Sequence, residues 1–107
     1  MEEFWADIWF IEGYQVSNYG RIRNSKTGRI LIPYENRPNG YLRVNMKGKQ
    51  YYVHRIVAKV FINRSDDEEY TVIHENGDRT DNSIGNLELV FKNDDFWDRY
   101  HKAFFDN

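Results

Sequence analysis

The sequence predicts an α+β fold, a small antiparallel β meander followed by a strand, loop, strand and helix unit. Three observations predict it. Short runs with alternating apolar residues, cut by turn-forming residues, fill positions 14 to 53. A stripe at helical spacing, Ile56, Val57, Val60 and Phe61, follows them. Residues 73 to 90 then place a lone histidine, His74, between an apolar run and a polar loop rich in Asn, Asp and Gly.

The meander is read from Tyr14-Gln15-Val16, Arg21-Ile22-Arg23, Arg29-Ile30-Leu31-Ile32, Tyr41 to Met46 and Gln50 to Val53. Turns at Asn18-Tyr19-Gly20, Lys26-Thr27-Gly28, Pro38-Asn39-Gly40 and Lys47-Gly48 separate these strands. Leu42, Val44 and Met46 alternate with Tyr41, Arg43 and Asn45, so one face can pack while Arg43 points to solvent or a ligand. A helix over 54 to 61 buries its apolar stripe and leaves Arg55 and Lys59 on the other face. His54 and His101 read as ordinary helix residues. The polar run 63 to 69 is a connector, Thr71-Val72-Ile73 is a strand closed by His74, and Leu87 to Val90 is a second strand able to pair with it. Asn93 is a good N-cap for a final amphipathic helix carrying Phe96, Trp97, Tyr100 and Phe104 on one stripe.

A chain of 107 residues makes one domain with a modest core, and aromatic residues, 17% of the total, supply much of it. There is no cysteine, which excludes disulfides and thiolate metal sites and suits a reducing compartment. No apolar run approaches membrane-spanning length, and the first residues are acidic where a signal peptide is basic, so the expected location is the cytoplasm of a cell. The net charge of −2 hides an asymmetry: residues 1 to 64 hold eleven Lys or Arg and five Asp or Glu, and residues 65 to 107 hold four and twelve. The basic half suits phosphates, with Arg21, Arg23, Lys26, Arg43, Lys47, Lys49 and Arg55 as candidate nucleic-acid contacts, although an exposed sheet face needs polar residues anyway.

In the loop after His74, Gly77, Asn82, Asn86 and Leu87 fall in register with the pattern His-x-Asp-Gly-x-x-x-Asn-Asn-x-x-x-Asn-Leu-x-Trp. With its strand, histidine, Asn-rich loop, strand and helix, the chain resembles the HNH homing endonucleases of phages and introns. Upstream, Trp5 to Ile8, Tyr14 to Arg23, Asn39 to Val44 and Tyr52 to Ala58 look like the small modular domain that precedes such nucleases. The resemblance implies a modular β region over 1–53 and a ββα-metal (HNH) motif over 54–107, forming one compact domain. It implies an endonuclease that hydrolyses DNA phosphodiester bonds with one divalent metal, Mg²⁺ or else Mn²⁺ or Zn²⁺. His74 is then the general base, Asn82 and Asn86 brace the loop that aims it, and Asp95, in the first turn of the final helix, is the metal ligand.

Some positions depart from the pattern. The residue before the base is normally Asp, Asn or His and ligates the metal, whereas here it is Ile73. Glu75-Asn76 replaces the usual x-Asp, and Leu89 replaces the usual Trp. Acids such as Asp94 and Asp95 are also favoured in a first helical turn with no metal present. Members of the family commonly carry a further DNA-binding region after the catalytic helix, and the sequence ends at that helix. These departures keep a second expectation open: a nuclease-derived fold whose metal site has decayed and which binds and inhibits a protein partner, such as a nucleic-acid enzyme, in the manner of an anti-CRISPR protein. The acidic half, offering carboxylates to a basic DNA channel, fits that expectation.

Overall fold

The computed structural model describes residues 2–65 and 69–91. Three small antiparallel sheets surround one short helix. The first contains β1 (Trp5–Asp7), β2 (Tyr14–Ser17) and β3 (Ile22–Asn24) in that order. The second contains β4 (Tyr34–Glu35), β5 (Leu42–Met46) and β6 (Lys49–Tyr52). The helix α1 (Val53–Val57) follows directly and passes into a wider π-type turn over Ala58–Ile62. The third sheet pairs β7 (Tyr70–His74) with β8 (Leu87–Phe91), and a 3-10 turn at Ile84–Asn86 leads into β8.

The expected meander is therefore two sheets. Its run Arg29 to Ile32 is not a strand: it makes a single bridge, Ile30 to Arg23, and Ile32 is 90% exposed. Leu31 N–H bonds Ile22 O, but Pro33 has no N–H with which to extend a ladder. β5 keeps the expected alternation, with Val44 and Met46 buried and Asn45 exposed. The turn after it puts Lys47 at φ 51° and Gly48 at φ 79°, left-handed values that match the twist of a tight hairpin.

All three sheets and the helix share one core. Val16 and Ile22 come from the first sheet, Val44 and Met46 from the second, Val72 and Leu87 from the third, and Val53, Ile56, Val57, Ala58 and Val60 from the helical segment. Each large aliphatic side chain so buried contributes about 1.5–3 kcal/mol. The helix begins one residue before its expected start. The expected connector falls partly outside the described residues, and the final helix from Asn93 lies wholly outside them. Among the described residues, no helix is long and apolar enough to cross a membrane.

Candidate active site

The last residue of β7 is His74, and its cross-strand partner is Leu87, so the loop joining them closes directly above the histidine. Residues 75 to 86 contain almost no regular structure, and their own side chains hold them. Asn86 does most of this: its Nδ2 donates to Asp81 O at 2.8 Å and to Asn76 Oδ1 at 3.0 Å, and its Oδ1 accepts from Asn76 N–H at 3.0 Å. Its backbone oxygen takes the Glu75 N–H at 2.9 Å. Asp78 Oδ1 accepts from Thr80 N–H and from the Thr80 hydroxyl, and these bonds hold its carboxyl below the usual carboxylate range. Asp81 accepts from Asn76 Nδ2 and the Ser83 hydroxyl. Short polar side chains bonding nearby backbone make the loop stiff, as its composition predicts.

Asn82 acts on the imidazole itself. It is 3% exposed, and its Oδ1 lies 2.8 Å from Nε2 of His74, which is 8% exposed. An amide oxygen only accepts, so Nε2 carries a proton, and in the neutral ring the lone pair is at Nδ1. The two asparagines thus divide the work: Asn82 orients the ring and Asn86 ties the backbone.

Three residues beside His74 have no counterpart in the sequence-derived set. Tyr41 stacks on it, with ring centroids 5.7 Å apart and planes inclined by 29°. His54 presents an edge at 5.3 Å and lies 4.5 Å from Tyr41, so it is part of this cluster and not simply a helix residue. It is buried, its Nδ1 has no hydrogen-bond partner, and burial, helped by the neighbouring His74 and Arg55, pushes its pKa down to about 3. Arg79 lies with its guanidinium carbon 4.9 Å over the Tyr41 ring, and its Nη1 donates to the backbone oxygen of Asn39. A charge in an exposed loop carries no sequence signal of this placement; only the fold brings it to the groove beside His74. Tyr41, Ile73, His74, Glu75, Gly77 and Arg79 border a groove of about 450 Å³.

The seven cations expected to meet nucleic acid fall in separate places. Arg23 lies 4.1 Å over Trp5 and donates to Gln15, while Arg21 pairs with Glu3 and so holds that carboxyl down to about 2. Arg43 donates to Gln50 at 2.7 Å and to the Tyr52 hydroxyl at 2.9 Å, and Lys49 lies at the end of the paired strand β6. Lys26 and Lys47 border one shallow depression with Glu12 and Asn24. Arg55 packs 4.4 Å over Tyr70 and donates to its backbone oxygen.

A metal needs a ligand set, and among the described residues no three His, Asp or Glu side chains come together to provide one. Ile73 puts hydrocarbon on the groove wall beside His74. The described residues therefore do not fit a metal centre by themselves, and Asp95, like Asp94, lies outside them.

A model of the NUMOD4 motif matches residues 3–47, and an HNH endonuclease model matches residues 51–95. The chain belongs to the HNH endonuclease family. It is 38% identical over 88 residues and 40% identical over 97 residues to two uncharacterized HNH endonucleases of Acanthamoeba polyphaga mimivirus. These matches cover 78% and 82% of the chain but only 26% and 24% of those proteins. It is 38% identical over 94 residues to the DNA endonuclease I-HmuI of Bacillus phage SP01, across 80% of this chain and 51% of that one. The solved structure of DNA binding and cleavage by the HNH homing endonuclease I-HmuI superposes with a TM-score of 0.71 at 32% identity, covering 96% of this chain and 60% of that one. The α+β HNH fold is thus shared, and the chain spans about a quarter to a half of the curated relatives' length.

Proposed function

We propose that the chain cleaves DNA by hydrolysis of a phosphodiester bond, with His74 as general base. The observation that carries this is the hydrogen bond from His74 Nε2 to buried Asn82 Oδ1, at the edge of a groove that also holds a guanidinium. A neutral imidazole held as the Nε2–H form takes a proton from water at Nδ1. The hydroxide so formed attacks phosphorus, the bond to the leaving sugar oxygen breaks, and that oxygen takes a proton from solvent as His74 returns its own to solvent. Arg79, anchored by a backbone oxygen and a tyrosine face, offers a fixed cation to the phosphate. Asn86 keeps the loop from spreading as the substrate enters. Related HNH endonucleases generally use a divalent metal; here Ile73 removes one oxygen donor, and Asp95 is the candidate for supplying another.

Supercoiled plasmid incubated with the protein and Mg²⁺ or Mn²⁺, with and without chelator, tests this reading. Wild type should nick it in a metal-dependent manner and His74→Ala should not. Intact plasmid at large protein excess sinks the proposal.

A further inference from the structure

The turn between β2 and β3 in the NUMOD4 motif, Asn18-Tyr19-Gly20, touches the loop after His74 at two points. Asn18 O accepts the backbone N–H of Ile84 at 2.9 Å. Gly20, at φ +85°, has no side chain, and a Cβ there would lie 2.7 Å from the backbone oxygen of Asn82 and 2.8 Å from its Cβ. Both distances are well inside ordinary contact, so the turn forms a wall against which Asn82 is seated.

Asn82 depends on such a wall. Its Oδ1 meets His74, but its buried Nδ2 has no hydrogen-bond partner, so one end of the amide is held only by packing. The turn itself is firmly built. Asn18 is buried, its Oδ1 accepts Phe4 N–H at 2.8 Å and its Nδ2 donates to Glu2 O at 3.0 Å. The Ser17 hydroxyl accepts from Tyr19 and Arg21 N–H groups. If Asn82 moved or its amide rotated to offer Nδ2, the imidazole would lose its acceptor at Nε2 and the proton would shift to Nδ1, the atom that must stay free.

We propose that this turn is a positioning element of the nuclease site: Asn18 and Gly20 seat Asn82, and through Asn82 they fix the tautomer and aim of His74. The NUMOD4 motif is then part of the active centre's framework in addition to any contact it makes with DNA. This inference rests on the reading of His74 and Asn82 as the working pair.

The test compares Gly20→Ala with Gly28→Ala. Both glycines have left-handed φ, +85° and +73°, so both substitutions strain the backbone, but nothing lies within 4 Å of a Cβ at Gly28. The readouts are melting temperature, the ring-nitrogen NMR resonances of His74, and kcat and KM for plasmid cleavage. Gly28→Ala should lower the melting temperature and leave the nitrogen spectrum as in wild type. Gly20→Ala should weaken or split the Nε2–H signature and lower kcat by about tenfold or more, with KM little changed. Identical His74 spectra in the two variants overturn the inference.

If Gly20→Ala does not fold, Ile84→Pro carries the test by deleting the N–H bonded to Asn18. Ser83, at φ −63° and ψ 143°, already has the extended backbone suited to precede proline. Ile84→Val, which keeps that N–H, is its comparison. A spectral change in both or in neither counts against the inference. Should wild type fail to cleave while the Gly20→Ala spectrum still shifts, the positioning role stands and the catalytic reading falls.

Discussion

Lowering the pH from 7 to 5 should destabilise this protein chiefly through His54. Burial holds that imidazole neutral and lowers its pKa from 6.5 to about 3. The unfolded chain therefore binds a proton below pH 6.5 that the folded chain refuses, so stability is fully present above 6.5 and is lost as pH falls toward 3. At 1.36 kcal/mol per pKa unit, the loss between pH 7 and pH 5 comes to about 2 kcal/mol. For a chain of 107 residues that corresponds to a fall in melting temperature of about 9 °C. The pH window separates this effect from the carboxylates. Glu3, held down to about 2 by its bond to Arg21, loses its contribution only below its ordinary 4.5, and Asp78 behaves likewise at its own lower range.

Urea denaturation of wild type and His54→Gln at pH 7, 6 and 5 measures the effect. The variant is expected to be less stable at pH 7, because it disturbs packing against Tyr41 and His74, yet to lose about 2 kcal/mol less on acidification. Parallel losses in the two proteins would refute the claim that burial keeps His54 uncharged.

Three further outcomes are expected. Arg79→Gln should weaken binding to duplex DNA and reduce the salt dependence of log K by about one, measured by anisotropy across a salt series. Ile73→Asp should raise Mn²⁺ affinity in a calorimetric titration, since it returns an oxygen donor to the groove wall beside His74; unchanged affinity would mean that the loop geometry cannot use the donor. Asn86→Ala removes three side-chain hydrogen bonds that close the loop and should cost about 2 kcal/mol in urea denaturation.

The sequence made part of this legible, and the reason lies in the range of each interaction. Alternation in residues 42 to 46 and the apolar strands on either side of the Asn-rich loop are local patterns, and both strands of the β7–β8 pair stand where periodicity puts them. The division of the meander into two sheets depends on which turns let strands pair, and Arg29 to Ile32 carries a strand-like composition yet packs only Leu31 on the core and makes a single bridge. His54 was hidden because helical spacing names a face without naming what packs on it. Tyr41 and Arg79 were hidden for a related reason: they are 38 residues apart in sequence, and only the approach of the second sheet to the loop stacks one upon the other.

That approach also explains why the two matched motifs cannot be treated as separable modules. Val16 and Ile22 of the first motif pack in the same cluster as Val57, Val72 and Leu87 of the second, so neither has a complete core alone. Tyr41, which stacks on His74, belongs to the first motif; Tyr52, which accepts the bond from Arg43, belongs to the second. The His74 imidazole is therefore packed and bonded by groups drawn from both sides of the boundary near residue 50. A general base works only when its lone pair lies within hydrogen-bond reach of the attacking water, and a misplacement of about 1 Å costs about a hundredfold in rate. In a chain this short, a shared core is the physical means of holding a mostly irregular loop to that tolerance.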